Sequence, residues 1–101
     1  MNIILVERTS SDNHIKYMTF NELGEASLEM FYKILFDLNE LSDFSIAMDI
    51  IEQQEFFTNL MLGAVEELNG YDISFDRESM TYIRSDIENQ RYYELFIEYI
   101  K

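Results

Sequence analysis

The chain opens on two stretches in which apolar residues fall in a strand-like way. Ile3 to Val6 is a β-branched and apolar run, and His14-Ile15-Lys16-Tyr17-Met18-Thr19-Phe20 mixes apolar with polar groups. Between them lies Thr9-Ser10-Ser11-Asp12-Asn13, whose short side chains hydrogen-bond nearby backbone and so favour turns. The pattern predicts an amino-terminal hairpin. From about Gly24 to Leu41 the spacing becomes helical. Leu28, Phe31, Leu35 and Leu38 recur at three and four, and Glu22, Glu25 and Glu29 sit near the positive end of the helix dipole.

Ser42 or Asp43 is placed to cap a second, longer helix, and Asn69-Gly70 supplies the residue types that end one. Gly63 weakens this helix internally without breaking it. Beyond Gly70, the residues Tyr71, Ile73 and Phe75 alternate with Asp72, Ser74 and Asp76; Met80-Thr81-Tyr82-Ile83 follows after Asp76-Arg77-Glu78-Ser79. That predicts a second hairpin. Ser85-Asp86-Ile87-Glu88 has the capping-box pattern and opens a predicted final helix through Tyr92, Tyr93, Phe96, Ile97 and Ile100. The expected fold is a small α+β single domain over residues 1–101, with two β-hairpins and three helices in the order ββααββα. No repeat, low-complexity tract or linker divides it.

Composition supports folding: 48 % hydrophobic and 15 % aromatic residues exceed what a disordered chain carries, so a core is expected without staples. Zero cysteines exclude disulfides, thiolate zinc sites and thiol nucleophiles and fit a reducing compartment, with cytoplasm the expected location. The apolar run in Met1 to Arg8 lacks the basic flank and length of a signal peptide, and no stretch approaches the roughly 20 apolar residues of a bilayer span.

Charge changes the picture most. Residues 1 to 33 hold five acids and three bases, residues 34 to 76 ten acids and no base, and residues 77 to 101 five acids and four bases. The net charge of −13 therefore divides as −2, −10 and −1. Like charges on a compact domain repel, so a localised excess points to a cationic partner, while nucleic acid and anionic membranes would be repelled.

On the predicted second helix, Ala47, Ile50, Ile51, Gln54, Phe57, Thr58, Met61, Ala64, Val65 and Leu68 share the arc expected to face the core. The other arc carries Asp49, Glu52, Glu55, Asn59, Glu66 and Glu67, with Phe56 and Leu60 among them. Asp49, Glu52, Glu55, Phe56, Leu60, Glu66 and Glu67 are the candidate partner-binding residues, carboxylates around an apolar centre. The same Phe56 and Leu60 are core if a hairpin covers them. A helix of about 27 residues would extend about 40 Å, with acids about 5 to 6 Å apart, a spacing of the order of neighbouring phosphates on a strand.

Chemistry is thinly represented. Asp72-Ile73-Ser74-Phe75-Asp76-Arg77-Glu78 starts like a calcium loop but has Arg77 where glycine is needed and Ile83 where a bidentate glutamate is needed. Glu22/Glu25 and Glu52/Glu55 pair carboxylates as some magnesium-dependent pyrophosphatases do, without a basic cluster to hold phosphate. The sole histidine, His14, has no Cys or second His for a metal site or for nucleophilic catalysis. No catalytic, metal or cofactor-binding residue is assigned, and no cofactor is expected. The expected function is non-enzymatic: an acidic inhibitor that blocks the basic surface of a nucleic-acid-binding protein by mimicry. In size and charge the chain is similar to small phage-encoded anti-restriction and anti-CRISPR proteins and to immunity proteins against nucleases. The alternative is an adaptor or self-associating module whose acids serve solubility. Oligomeric state is open, a dimer included.

Overall fold

The computed structural model describes residues 2–10, 14–42, 49–63, 66–68, 70–86, 88–89 and 91–100. Its elements run β1 (Asn2–Thr9), β2 (His14–Phe20), α1 (Leu23–Ser42), α2 (Ile50–Met61), β3 (Glu66–Leu68), β4 (Tyr71–Asp76), β5 (Thr81–Asp86) and β6 (Arg91–Ile100). The six strands form one antiparallel sheet in the order β2-β1-β6-β5-β4-β3. The first and last strands lie side by side, in register from Asn2↔Ile100 to Thr9↔Tyr93. Beyond that register Ser10 continues the ladder, its amide donating to the Tyr92 carbonyl at 3.0 Å and its hydroxyl accepting from the Tyr92 amide at 2.7 Å.

Both helices cover the same face of the sheet, α1 across β1, β2 and β6, α2 across β3 and β4. Ile3, Leu5, Ile73, Phe75, Tyr82, Tyr93, Leu95 and Ile97 rise from the strands to meet Ala26, Met30, Ile34 and Leu38 of α1 and Phe56 and Leu60 of α2 in one core. Full burial of each large side chain stabilises by about 1.5–3 kcal/mol. Among the described residues no helix is long and apolar enough to cross a membrane.

The amino-terminal hairpin, the first helix and the β4–β5 hairpin stand where the hydrophobic pattern places them. The expected order ββααββα does not. Among the described residues the order is ββααββββ, with two helices, because residues 91–100 form a strand and Glu66–Leu68, read as part of the second helix, form another. Tyr93, Leu95 and Ile97 are buried while Glu94 and Phe96 are half-buried and Tyr92 and Glu98 exposed, a period of two. The helical face read through Tyr92, Tyr93, Phe96, Ile97 and Ile100 is thus divided between the two faces of the strand. Aromatic and β-branched residues favour the extended form, and the slot between β1 and β5 rewards it. Ser85 is not a helix cap but a β5 residue opposite Tyr92. Asp86 shapes the following turn by accepting from Asn89 Nδ2 at 2.8 Å.

The second helix is 12 residues long, not about 27. Its amino end is capped by Asp49, which accepts from the Glu52 amide at 2.8 Å; the expected caps differ, since Ser42 ends α1 and Asp43 lies outside the described residues. Its far end is set by Gly63 at φ +80°, a left-handed conformation open to glycine at little cost, with the Gly63 amide on the Leu60 carbonyl at 3.0 Å. The Asn69-Gly70 dipeptide falls between the paired residues Leu68 and Tyr71, and Gly70 at φ +84° serves a tight hairpin connection rather than a helix end.

Candidate functional site

The sequence-predicted face does not form as one surface. Asp49 is spent on the helix cap, and Glu52 and Glu55 are exposed on α2. Phe56 and Leu60 point the other way, 8 % and 0 % exposed, packed toward β3 and β4; they are core, not an interface centre. The arc is inverted from the expected one because α2 is too short to be oriented by residues beyond Gly63. Ile50, Ile51, Gln54 and Thr58 are exposed, and Phe57 and Met61 half-buried. Ala47, Ala64 and Val65 lie outside the described residues. Glu66 belongs to β3, opposite Ile73, and its side chain also lies outside what is described. Glu67 is exposed and pairs with Asp72, whose row with Ser85 and Tyr92 belongs to the sheet face that the helices leave bare.

Other acids of the middle block hold the fold together. Asp76 closes the β4–β5 turn by accepting from the amides of Glu78 and Ser79 at 2.9 and 3.4 Å, and these bonds hold its carboxyl below the usual range. Asp37 of α1 accepts from the Tyr82 hydroxyl at 2.7 Å and from Arg84 Nε at 3.0 Å. The Arg84 guanidinium lies 5.2 Å from the Tyr71 ring centroid and 5.3 Å from that of Tyr93. Tyr93 donates to Glu7, which also faces Lys33 at 3.6 Å and Lys16 at 3.9 Å. Burial, then the neighbouring carboxylates, raise the Tyr82 and Tyr93 hydroxyls well above the ordinary phenol value, so both stay protonated donors.

Of these, Glu7, Lys33, Asp37, Arg84 and Tyr93 line a groove of about 340 Å³ between the flank of α1 and the sheet, with Glu7 and Asp37 on its floor. Each carboxylate on the floor already faces a cation and accepts from a phenol. Such an arrangement fastens α1 to β1, β5 and β6. Among the described residues no group of three or more His, Asp or Glu side chains is arranged to hold a metal ion.

The outer wall of that groove is the unexpected feature. On α1 the buried stripe is Ala26, Met30, Ile34 and Leu38, each four residues from the last. Directly opposite, also at intervals of four, stand Leu28, Tyr32 and Phe36, 53 %, 58 % and 67 % exposed. Glu25 and Glu40 are exposed and Glu29 half-buried on the same outward arc, and the helix's one base, Lys33, is turned to Glu7. The double stripe is readable in the sequence as two interleaved series, yet Leu28, Phe31 and Leu35 compete with it for the core assignment. In the structure Leu28 is out, while Phe31 and Leu35 are half-buried. Comparison with family models, curated proteins and solved structures finds no match.

Proposed function

We propose that this chain is a non-enzymatic acidic binding domain that seats the outer face of α1 on a basic surface of another protein, of the kind that holds nucleic acid, and blocks it. The observation that carries the reading is the exposed Leu28-Tyr32-Phe36 stripe bordered by Glu25, Glu29 and Glu40, with the helix's one base, Lys33, at the edge of that arc and paired with Glu7. Interfaces combine an aromatic centre with a polar rim, and a domain of charge −13 is drawn to a basic patch by the field of the whole molecule. The anionic groups that replace phosphate contacts are here the α1 carboxylates, with Glu52 and Glu55 of α2 as a separate contribution. A chain without cysteine suits a reducing, cytoplasmic setting for such inhibition, as in anti-defence or nuclease-immunity proteins.

The test is affinity capture from cells with the immobilised domain beside a Tyr32→Ser/Phe36→Ser variant, each with and without added nucleic acid. A basic protein retained by the wild-type domain, lost with the variant and displaced by nucleic acid is the expected result. Equal retention by both, or indifference to nucleic acid, overturns the reading.

A further inference from the structure

The sheet ends on two unlike edges. β3 is three residues long and carries Glu66 and Glu67, short and charged as edge strands that resist pairing are. β2 is seven residues long, and among the described residues no strand pairs with its outer side. It is also the one strand of the six without a carboxylate, whereas every other strand and both helices carry at least one. Its apolar residues are open on both faces of the sheet. Ile15 and Tyr17, paired with Arg8 and Val6 on the side away from the helices, are 44 % and 63 % exposed, and Met18, paired with Leu5 on the helix side, is 38 % exposed.

We propose that β2 is the contact between two copies of the chain, joined antiparallel and edge to edge so that their sheets become one continuous sheet with all the helices on a common side. The backbone groups of an open strand supply the affinity of such an addition, and the side chains set its register. A two-fold axis normal to the sheet keeps each face of the sheet in place, so residues directly opposite each other across the joint point to the same side.

Charge commits the edge to a copy and fixes the register. Two chains of −13 repel, so they meet only where acids are sparse, and β2 is that element. With Met18 on the axis, Lys16 lies opposite Phe20 of the second copy and diagonal to its Glu22, which follows β2 at the bend into α1. The base thus finds a carboxylate on the second copy, while Glu7 keeps Lys33 at 3.6 Å when Lys16 turns outward. Carried on into β1 of each copy, the rows across the joint read Glu7-Lys16-Phe20-Ile3, Leu5-Met18-Met18-Leu5 and Val6-Tyr17-Thr19-Ile4, and none sets carboxylate beside carboxylate. The two Glu22 positions fall at opposite ends of the joint, about 25 Å apart, beyond the Debye length of about 10 Å at 0.1 M salt.

Sedimentation equilibrium of the full chain over about 10 to 500 μM, with hydrogen exchange at both ends of that range, tests this. So short a joint is smaller than a standard interface, and the wild type is expected to dimerise with a dissociation constant on the order of 10–100 μM. Amides of β2 should exchange more slowly at the higher concentration and those of β3 at the same rate. Met18→Lys, which sets two ammonium groups face to face on the axis, should raise the dissociation constant at least about tenfold. Lys16→Glu should do the same, and adding Glu22→Lys to it should restore association. Ile51→Lys, at an exposed apolar site on α2, should leave the dimer unchanged. A wild type that stays monomeric at the highest concentration overturns the proposal. So does a dimer that Met18→Lys leaves intact, that the Lys16/Glu22 exchange fails to restore, or that forms without slower exchange in β2. Because the joint leaves the outer face of α1 open, loss of the dimer leaves the capture experiment on Tyr32 and Phe36 to be judged by itself.

Discussion

Asp37→Ala should destabilise the fold by about 3 kcal/mol. The substitution leaves the Tyr82 hydroxyl without its acceptor, which costs about 1–3 kcal/mol for a buried group. It also leaves Arg84 uncompensated; breaking a buried ion pair costs about 3–5 kcal/mol. The sum is reduced because the Arg84 and Asp37 side chains keep 18 % and 12 % exposure, and because the guanidinium still faces the Tyr71 and Tyr93 rings. For a domain of this size, 3 kcal/mol lowers Tm by roughly 15 °C. Urea unfolding followed by circular dichroism and tyrosine fluorescence measures it. Asp37→Asn should lose less, since its carbonyl still accepts from Tyr82. If Asp37→Ala stays within about 0.5 kcal/mol of wild type, the network does not fasten α1 to the sheet and the account of the groove is wrong.

Leu95→Ala, at a fully buried β6 position, should cost about 2–5 kcal/mol, whereas the exposed Tyr92→Ala should cost under about 1 kcal/mol; similar losses at both would contradict the strand and favour a helix. The lowered carboxyls of Asp76 and Asp86 contribute stability above their ordinary value of 3.8 that is lost as pH falls through and below it, so Asp76→Asn should flatten the acid limb of the Tm-against-pH profile. At the alkaline end the raised Tyr82 and Tyr93 contribute stability below pH 10 that disappears as pH climbs past it; ultraviolet titration should show both ionising only with unfolding. Gly63→Ala should destabilise by about 1 kcal/mol in a melting experiment, through its positive φ.

Local pattern was enough for the elements whose partners are close in sequence. Ile3–Val6 and His14–Phe20 pair although few residues separate them, and alternation in Tyr71–Asp76 matches its neighbour Thr81–Asp86. It was not enough for residues 91–100, where Tyr92-Tyr93-Glu94-Leu95-Phe96-Ile97 satisfies both periods. Pairing with β1, from the opposite end of the chain, decides for the strand. The long second helix failed for a related reason: Glu66–Leu68 carries helix-forming residues but is held as an edge strand by pairing with β4. Inversion of α2 follows from that truncation and moves Phe56 and Leu60 inward. The Glu7–Tyr93 and Asp37–Tyr82 contacts span 86 and 45 residues, so no local spacing announces them. By contrast, Leu28-Tyr32-Phe36 at intervals of four was open to view, and only competition from a broader apolar arc obscured it.

Association and dissociation rates of the captured partner, measured at low and physiological salt for wild type and Phe36→Ala, test the central claim most directly. If acids steer and the α1 stripe holds, added salt should slow association by about tenfold or more, while Phe36→Ala should speed dissociation by a similar factor and leave association nearly unchanged. An association rate indifferent to salt, or a dissociation rate indifferent to Phe36, would contradict it.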